Sequence, residues 1–176
     1  MACVDSCSHN ALQATLNEEG HIVPLMDESK CVNCKSCERV CPVVSKLPYS
    51  QSPVASSFAG WAKDKVVRKN SATAGAFSAL AQYVFSKGGV VCGASNVDRV
   101  LVKHICIEKV DELNKLQGSK YTQSNAEGIY KTVSVNLKQG KLVLFSGTGC
   151  QVAGLYGYLG KRKYSGRLIT VDLICG

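Results

Sequence analysis

Residues 31–42 read CVNCKSCERVCP, a run with the spacing C-x2-C-x2-C-x3-C and a proline directly after its last cysteine. A cubane of iron and sulfide needs thiolates that converge from different directions, and a tight loop of closely spaced cysteines supplies three of them. The fourth cysteine is expected at the start of a helix that leads away toward another cluster, and Pro42 fits the first turn of that helix. Structural zinc is the alternative, but zinc sites usually pair two separated C-x2-C knuckles. The run therefore predicts that these residues are ligands of 4Fe-4S clusters: Cys31, Cys34, Cys37 and Cys41.

The start of the chain repeats part of this run. Cys3 and Cys7 have the same C-x3-C spacing as Cys37 and Cys41 and lie 34 positions earlier. Such a repeat is typical of a two-cluster bacterial ferredoxin, in which the ligands cross between the two halves. The same offset puts two further ligands before Met1, so we expect a sequence that is truncated at its amino end. One complete cluster is predicted to use Cys7, Cys31, Cys34 and Cys37, and an incomplete second cluster to use Cys3 and Cys41.

The composition narrows the class of protein. The chain has 176 residues, of which 45% are hydrophobic, so a packed core is expected. Its ten cysteines fit either disulfides in an oxidising compartment or metal ligation in a reducing one, and the dense N-terminal grouping favours metal. The formal charge is +8, but the only tight basic cluster is residues 161–163 and no nucleic-acid motif accompanies it. Because no signal peptide or membrane-length apolar stretch is recognisable, we expect a cytoplasmic protein without a membrane span and without bound nucleic acid.

Three zones divide the chain. Residues 1–47 hold the cysteine pairs and are predicted to form a truncated two-cluster ferredoxin-like domain. Residues 48–57 contain two prolines and four serines and are predicted to be a linker. Residues 58–176 are predicted to alternate helices and strands in an α/β sheet. The predicted helices are 71–85, 111–116, 126–138 and 151–159, and the predicted strands are 90–94, 100–107, 141–145 and 168–174.

Four segments of the last zone, taken in order, carry a family resemblance: RKNSATAGAFSALAQYVFSKGGVVCGAS, KLQGSKYTQS, VLFSGTGCQVAGL and VDLICG. Together they are similar to the coenzyme F420 hydrogenase/dehydrogenase beta-subunit family, some members of which have an N-terminal two-cluster ferredoxin. The resemblance covers essentially the whole chain. It implies that residues 58–176 are the N-terminal part of the family's domain, with further residues missing at the carboxyl end. The implied fold is an α+β ferredoxin-like iron–sulfur domain followed by an incomplete α/β flavin-binding domain.

The resemblance also implies FAD, placed between the clusters and a hydride-type substrate, with coenzyme F420 as one candidate substrate. A flavin takes two electrons as hydride and passes them on singly to clusters, which would explain why both modules lie in one chain. Gly149 stands where the family usually has proline, in SGTPCQ. The cofactor-binding residues carried over by motif are Ser71, Thr73, Gly75, Gly118, Ser119, Lys120, Tyr121, Gly147, Thr148, Cys150 and Gln151.

These features predict an oxidoreductase, or the electron-delivery subunit of one, that meets a redox protein or electron carrier and a small-molecule redox substrate. The alternative is a non-enzymatic electron-transfer or docking protein whose α/β part binds no flavin. A third hypothesis makes Cys150 a nucleophile at a helix start, or an extra cluster ligand together with Cys175. Cys92 and Cys106 lie in apolar strands and are expected in the core, and His104 is expected to be a surface or core residue. No catalytic residue is assigned.

Overall fold

The computed structural model describes residues 1–45, 56–72 and 74–175. Residues 1–45, here called the iron–sulfur module, contain helix α1 (Ala2–Ser6), strands β1 (Leu12–Leu16) and β2 (Ile22–Met26), and helix α2 (Ser36–Val40). The two strands pair antiparallel, and α1 packs against α2. The predicted linker, residues 48–57, lies largely outside the described residues.

The two short helices repeat one arrangement. Cys3 lies within α1 and Cys37 within α2, while Cys7 and Cys41 each follow their helix in an extended conformation. The prediction that Cys41 starts a helix is therefore wrong. The reason is Pro42, because the residue before a proline is pushed out of the helical region and into extended backbone. The internal repeat read from the cysteine spacing is nevertheless present in the backbone.

The α/β domain comprises the described residues from 56 onward and is built on a mixed sheet. Its strands are arranged in the order β5-β4-β3-β6-β7. β3 and β4 pair antiparallel, and the remaining neighbours pair parallel. The strands are β3 (Val90–Asn96), β4 (Val102–Ile107), β5 (Ser124–Asn125), β6 (Leu142–Thr148) and β7 (Arg167–Leu173). The helices are α3 (Lys65–Lys69), α4 (Ala76–Ser86), a 3-10 helix (Val110–Lys115), α5 (Ile129–Lys138) and α6 (Gly149–Leu159).

The βαβ unit predicted from the sequence is confirmed, since β6 and β7 are parallel and α6 connects them. The predicted helix at 71–85 begins later than expected, at Ala76. Gly75 has a left-handed backbone, with φ at 79°, which interrupts any helix running in from Ser71. The preceding residues form the separate helix α3 instead, which Asp64 caps through the backbone N–H groups of Val66 and Val67.

The sheet buries apolar side chains on both faces. Neighbouring residues of β6 serve opposite faces, because side chains alternate along a strand. Phe145 packs with Tyr130 and Leu155 of α5 and α6, and Leu144 packs with Val84 of α4. The first of these cores also contains Ala2 of the iron–sulfur module. The module and the α/β domain thus share a core. Within the described ranges, no helix combines the length and the apolar character needed to cross a bilayer.

The two strand cysteines differ from expectation in one respect. Cys92 is fully buried, as predicted, but it forms a disulfide with Cys106. The antiparallel register of β3 and β4 sets these two residues directly opposite each other. Cysteine spacing alone favoured metal ligation over disulfides, and that preference does not hold for this pair.

Candidate iron–sulfur and cofactor sites

Cysteines from both repeats border one cavity in the iron–sulfur module. Its volume is about 350 Å³. Its walls include Cys31, Cys34 and Cys37 of the second repeat together with Cys7 of the first. This is the grouping that the crossed-ligand hypothesis requires. We call it the Cys7 cavity.

The loop before α2 is folded so that its cysteines face one space. Asn33 and Lys35, on either side of Cys34, both have left-handed backbones, with φ at 54° and 62°. Such residues reverse the chain direction within very few positions. The tight turn lets Cys31, Cys34 and Cys37 reach the same cavity despite their short separation.

Local hydrogen bonds favour thiolate at this cavity. The Ser36 side chain and backbone lower the pKa of Cys34, with a smaller contribution from the Arg39 charge. The Cys34 and Ser36 side chains are 3.4 Å apart, and the backbone N–H of Ala11 donates to Cys7 Sγ at 3.3 Å. Hydrogen bonds to ligand sulfur are one of the means by which proteins set cluster potentials.

The donor set of the cavity suits an iron–sulfur cluster. Four of the residues that line it are cysteines, and a cubane bonds each of four thiolates at a separate iron. Among the described residues, no three His, Cys, Asp or Glu side chains are close enough together to hold one metal ion.

Cys3 and Cys41 form a separate pair. Burial raises the pKa of Cys3, the chain's amino group opposes that shift, and the negative charge of a Cys41 thiolate raises it further. The two thiols therefore lie within electrostatic reach of each other, Cys3 within α1 and Cys41 directly after α2, which packs against α1. Neither lines the Cys7 cavity.

The other candidate site is the β6–α6 turn, defined as Gly147–Gln151. Thr148 and Gln151 cap α6 reciprocally, each side chain bonding the other residue's backbone. Thr148 N–H donates to Gln151 Oε1 at 3.0 Å, and Gln151 Nε2 donates to Ser124 Oγ at 2.9 Å. Both ends of the Gln151 amide are thus occupied within the protein.

This network continues to His104, which the sequence did not single out as a site residue. His104 Nε2 lies 3.1 Å from the Ser146 carbonyl, which can only accept, so Nε2 carries the proton. Nδ1 then accepts from the Ser124 hydroxyl at 3.0 Å. Burial lowers the pKa of His104 to about 4. The histidine is therefore neutral at physiological pH and helps to fix the turn. His104 has no motif around it, and Ser124 ends the quoted segment KLQGSKYTQS without any feature there that would reveal this role.

Glycines allow the turn to close tightly. A Cβ on Gly147 would lie 3.0 Å from Gln151 Oε1 and 3.1 Å from the Phe145 ring. Cys150 is exposed, and its sulfur lies 3.2 Å from the Thr148 hydroxyl. Cys150 is thus the most exposed residue of the turn, and its thiol lies beside a hydroxyl.

The remaining predicted residues form a second polar group. Ser71 Oγ donates to the Val67 carbonyl and is 2.9 Å from Ser78 Oγ, which also accepts from Gln117 Nε2. Lys120 Nζ donates to the Gln117 carbonyl at 2.8 Å, and burial lowers the pKa of Lys120. The structure thereby joins the Ser71 region to the segment of residues 118–121. In that segment Gly118, Ser119 and Tyr121 are exposed, and Thr73 lies outside the described residues.

Topology puts both polar groups toward one edge of the sheet. β3 and β6 are parallel, so their carboxyl ends meet at the same edge, where the β6–α6 turn follows. α4 runs back into β3 through the short connection 87–89, so its Gly75 end points toward that edge. α4 packs on the face opposite α6, and the two groups therefore flank the edge from different faces. Ligands of α/β sheets usually bind outside the carboxyl ends of the strands.

Two family models match the chain. Residues 1–44 match the model of a 4Fe-4S dicluster domain. Residues 57–131 match the model of the coenzyme F420 hydrogenase/dehydrogenase beta subunit, N-terminal region. Both matches agree with the resemblance drawn from the sequence motifs and confirm it. No curated protein matches the chain significantly.

Proposed function

We propose that the chain is an iron–sulfur flavoprotein oxidoreductase or the electron-delivery subunit of one, since residues 1–44 match a 4Fe-4S dicluster domain and residues 57–131 match the N-terminal region of the coenzyme F420 hydrogenase/dehydrogenase beta subunit. Electrons would pass among 4Fe-4S clusters, FAD and an external substrate, with coenzyme F420 as one candidate. The observation that carries the proposal is the Cys7 cavity, because thiols from two sequence repeats border one space.

The proposed ligands of the complete cluster are Cys7, Cys31, Cys34 and Cys37. Each lies on a wall of the cavity; the Ala11 N–H donates to Cys7 Sγ, and the Cys34 thiol lies 3.4 Å from the Ser36 hydroxyl, to which it donates. Cys31 and Cys34 are exposed, so this cluster would be open to an external redox protein. The module has six Asp or Glu and three Lys or Arg residues among residues 1–45. A partner with basic side chains is therefore the expected match.

FAD is proposed at the carboxyl edge of the sheet. Bound there, a flavin would exchange a hydride with a substrate and single electrons with clusters. The first N–H groups of a helix have no partner within the helix and suit an anionic group; in α6 the Thr148 side chain accepts from the Gln151 N–H, which leaves those of Gly149 and Cys150 for such a group, and Lys120 and Ser71 approach the same edge. Thr148 and Gln151 would shape the turn rather than bind through their side chains, because those side chains bond within the protein.

The test is cofactor analysis of the full chain purified without oxygen. The expected result is a brown protein with iron and sulfide, which releases FAD when denatured with acid. Iron without flavin would favour the second candidate, a non-enzymatic electron-transfer or docking protein. The internally bonded side chains of the β6–α6 turn are the observation that favours this second candidate. Flavin without iron would contradict both.

A further inference from the structure

Asp5 lies between Cys3 and Cys7, but its carboxylate serves the α/β domain. Its side chain accepts three backbone N–H groups at the start of α5: Gly128 on Oδ1 at 2.7 Å, and Tyr130 and Lys131 on Oδ2 at 3.0 Å and 3.3 Å. The first N–H groups of a helix have no partner within the helix, and a carboxylate is well suited to accept them. The local cap residue is Gly128, which has no side chain for this purpose. Asp5 therefore replaces a local cap with one from another module.

Tyr130 extends the connection from α1 to α6. Its backbone N–H donates to Asp5, and its hydroxyl donates to the Gln151 carbonyl at 3.2 Å. Only 1% of the residue is exposed. Burial raises the pKa of Tyr130, and the negative charges of Asp5, Cys150 and Cys3 raise it further. This one side chain thus lies within electrostatic reach of a thiol from the module and of the exposed thiol of the β6–α6 turn.

Small residues let α1 approach α6 closely. A Cβ on Gly154 would lie 3.2 Å from the Tyr130 hydroxyl and 3.5 Å from the Ala2 Cβ. Met1 and Val40 pack against the same core. The Cys7 cavity has no such neighbour, because every residue that lines it lies between Cys7 and Glu38. The Cys3–Cys41 pair therefore lies on the side of the module that packs against the α/β domain, whereas the Cys7 cavity is lined by residues of the module alone.

We propose that Asp5 and Tyr130 are positioning residues that seat α1 on α5 and α6, so that the Cys3–Cys41 pair faces the β6–α6 turn and the Cys7 cavity faces away from the α/β domain. The role of this arrangement in electron transfer rests on the proposed function. With a cluster in the Cys7 cavity and a flavin at the β6–α6 turn, the Cys3–Cys41 pair lies on the side of the module that faces the flavin, and the Cys7 cavity is the site that meets an external redox protein. The buried carboxylate of Asp5 then acts together with the packing of Ala2 and with the two hydrogen bonds between the Ile22 backbone and the Gln123 side chain, which also join the module to the α/β domain.

The first test is amide hydrogen exchange on the full chain after cluster reconstitution. Asp5→Ala is expected to speed exchange at Gly128, Tyr130 and Lys131 about tenfold, the effect of losing a helix cap. The matched control is Asp98→Ala, which removes a carboxylate that accepts two N–H groups at 2.7 Å in the β3–β4 turn, away from the module. Exchange at the start of α5 that is the same in Asp5→Ala and in Asp98→Ala would overturn the proposal.

The second test reports orientation rather than helix stability. In the reconstituted chain the cluster protects the cysteines of the Cys7 cavity, and peptide mass spectrometry separates maleimide alkylation of Cys3 from that of the other free thiols, Cys41, Cys150 and Cys175. Asp5→Ala should speed alkylation of Cys3 several-fold while the cluster absorbance stays at the wild-type level, and Asp98→Ala should not. If Asp5→Ala fails to fold, Asp5→Asn keeps one acceptor oxygen and is expected to show smaller shifts of the same kind. Tyr130→Phe keeps the backbone donor to Asp5, so α5 should stay protected while exchange at residues 149–152 rises.

Unchanged Cys3 alkylation in Asp5→Ala and Asp5→Asn would mean that the carboxylate does not hold the module. Neither measurement requires flavin. A chain that lacks FAD would therefore contradict the flavoprotein function but leave these rates as they are, and the two failures are distinguishable.

Discussion

The Cys7 cavity and the β6–α6 turn were both predicted from short motifs, but they use their polar groups in different ways. The thiols of the cavity surround open space and have at most weak partners, such as the Ala11 N–H on Cys7. At the turn, the polar groups are already hydrogen-bonded to one another. The bonds run in series from Thr148 to Gln151, Ser124 and His104. A side chain that belongs to a functional motif can thus bind a ligand only when its polar groups are not already hydrogen-bonded within the protein.

The largest expected effect concerns the ligands of the cavity. Cys7→Ser and Cys34→Ser should each abolish the reconstituted cluster, although they belong to different repeats, because a cubane lacking one thiolate is poorly held. Cys41→Ser is the matched control and should leave the cluster in place. Absorbance and iron analysis measure the outcome, with about four irons per chain expected in the wild type and in the control.

Two results would contradict this assignment. An unchanged spectrum in Cys7→Ser together with a lost spectrum in Cys41→Ser would show that the ligands do not cross between repeats. About eight irons per chain would show that a second cubane is held as well.

The sequence predicted the features that depend on neighbouring residues. The cysteine spacing predicted the set of cysteines that lines the cavity, and the strand–turn–helix–strand series around SGTGC predicted β6, α6 and β7. The features that were missed depend on residues far apart in sequence. The Cys92–Cys106 disulfide follows from the register of β3 and β4, and Asp5 reaches a partner 123 positions away. Neither the register of β3 and β4 nor the distant hydrogen-bond partner of Asp5 produces a local sequence pattern from which it could be predicted.

The pH dependence of folding stability should test the hydrogen-bond network of the β6–α6 turn. His104 has a pKa of about 4 in the folded protein, against an ordinary value of 6.5, so the unfolded chain binds a proton more readily between those pH values. Folding stability contributed by this residue is therefore complete above pH 6.5 and is lost as the pH falls toward 4. The expected loss is about 3 kcal/mol. Urea unfolding at a series of pH values measures it.

The matched variant is His104→Gln, which cannot titrate in this range. Its stability should depend less on pH between 6.5 and 4 than that of the wild type. Equal slopes for the two proteins would show that His104 is not the group responsible.

Ser124→Ala should cost less, because it removes one hydroxyl from the network. His104 Nδ1, in a buried ring, would lose its partner at a cost of about 1–3 kcal/mol, and the half-buried Gln151 amide would lose little by comparison. Chemical denaturation measures the loss. Ser119→Ala is the control, since Ser119 is exposed, and it should change stability little. A loss of similar size in both variants would show that the hydroxyl of Ser124 has no special role.

The smallest expected effect is a gain in stability at Gly149, the position where the resembled family usually has proline. Gly149 is the first residue of α6, where proline is well tolerated because the N–H it lacks has no partner within the helix. Thr148 already has the extended backbone that a following proline requires, with ψ at 162°. A Cβ there would lie 3.3 Å from the exposed Asp172 carboxylate, which is free to move slightly. Gly149→Pro should therefore raise the free energy of unfolding by about 0.4–1 kcal/mol, since it restricts the unfolded chain.

Gly160→Pro, at the other end of the same helix, is the control and should destabilise the protein, because proline cannot adopt its φ of 57°. Thermal unfolding of both variants gives the comparison, and a lower melting temperature for Gly149→Pro would mean that the turn needs glycine itself.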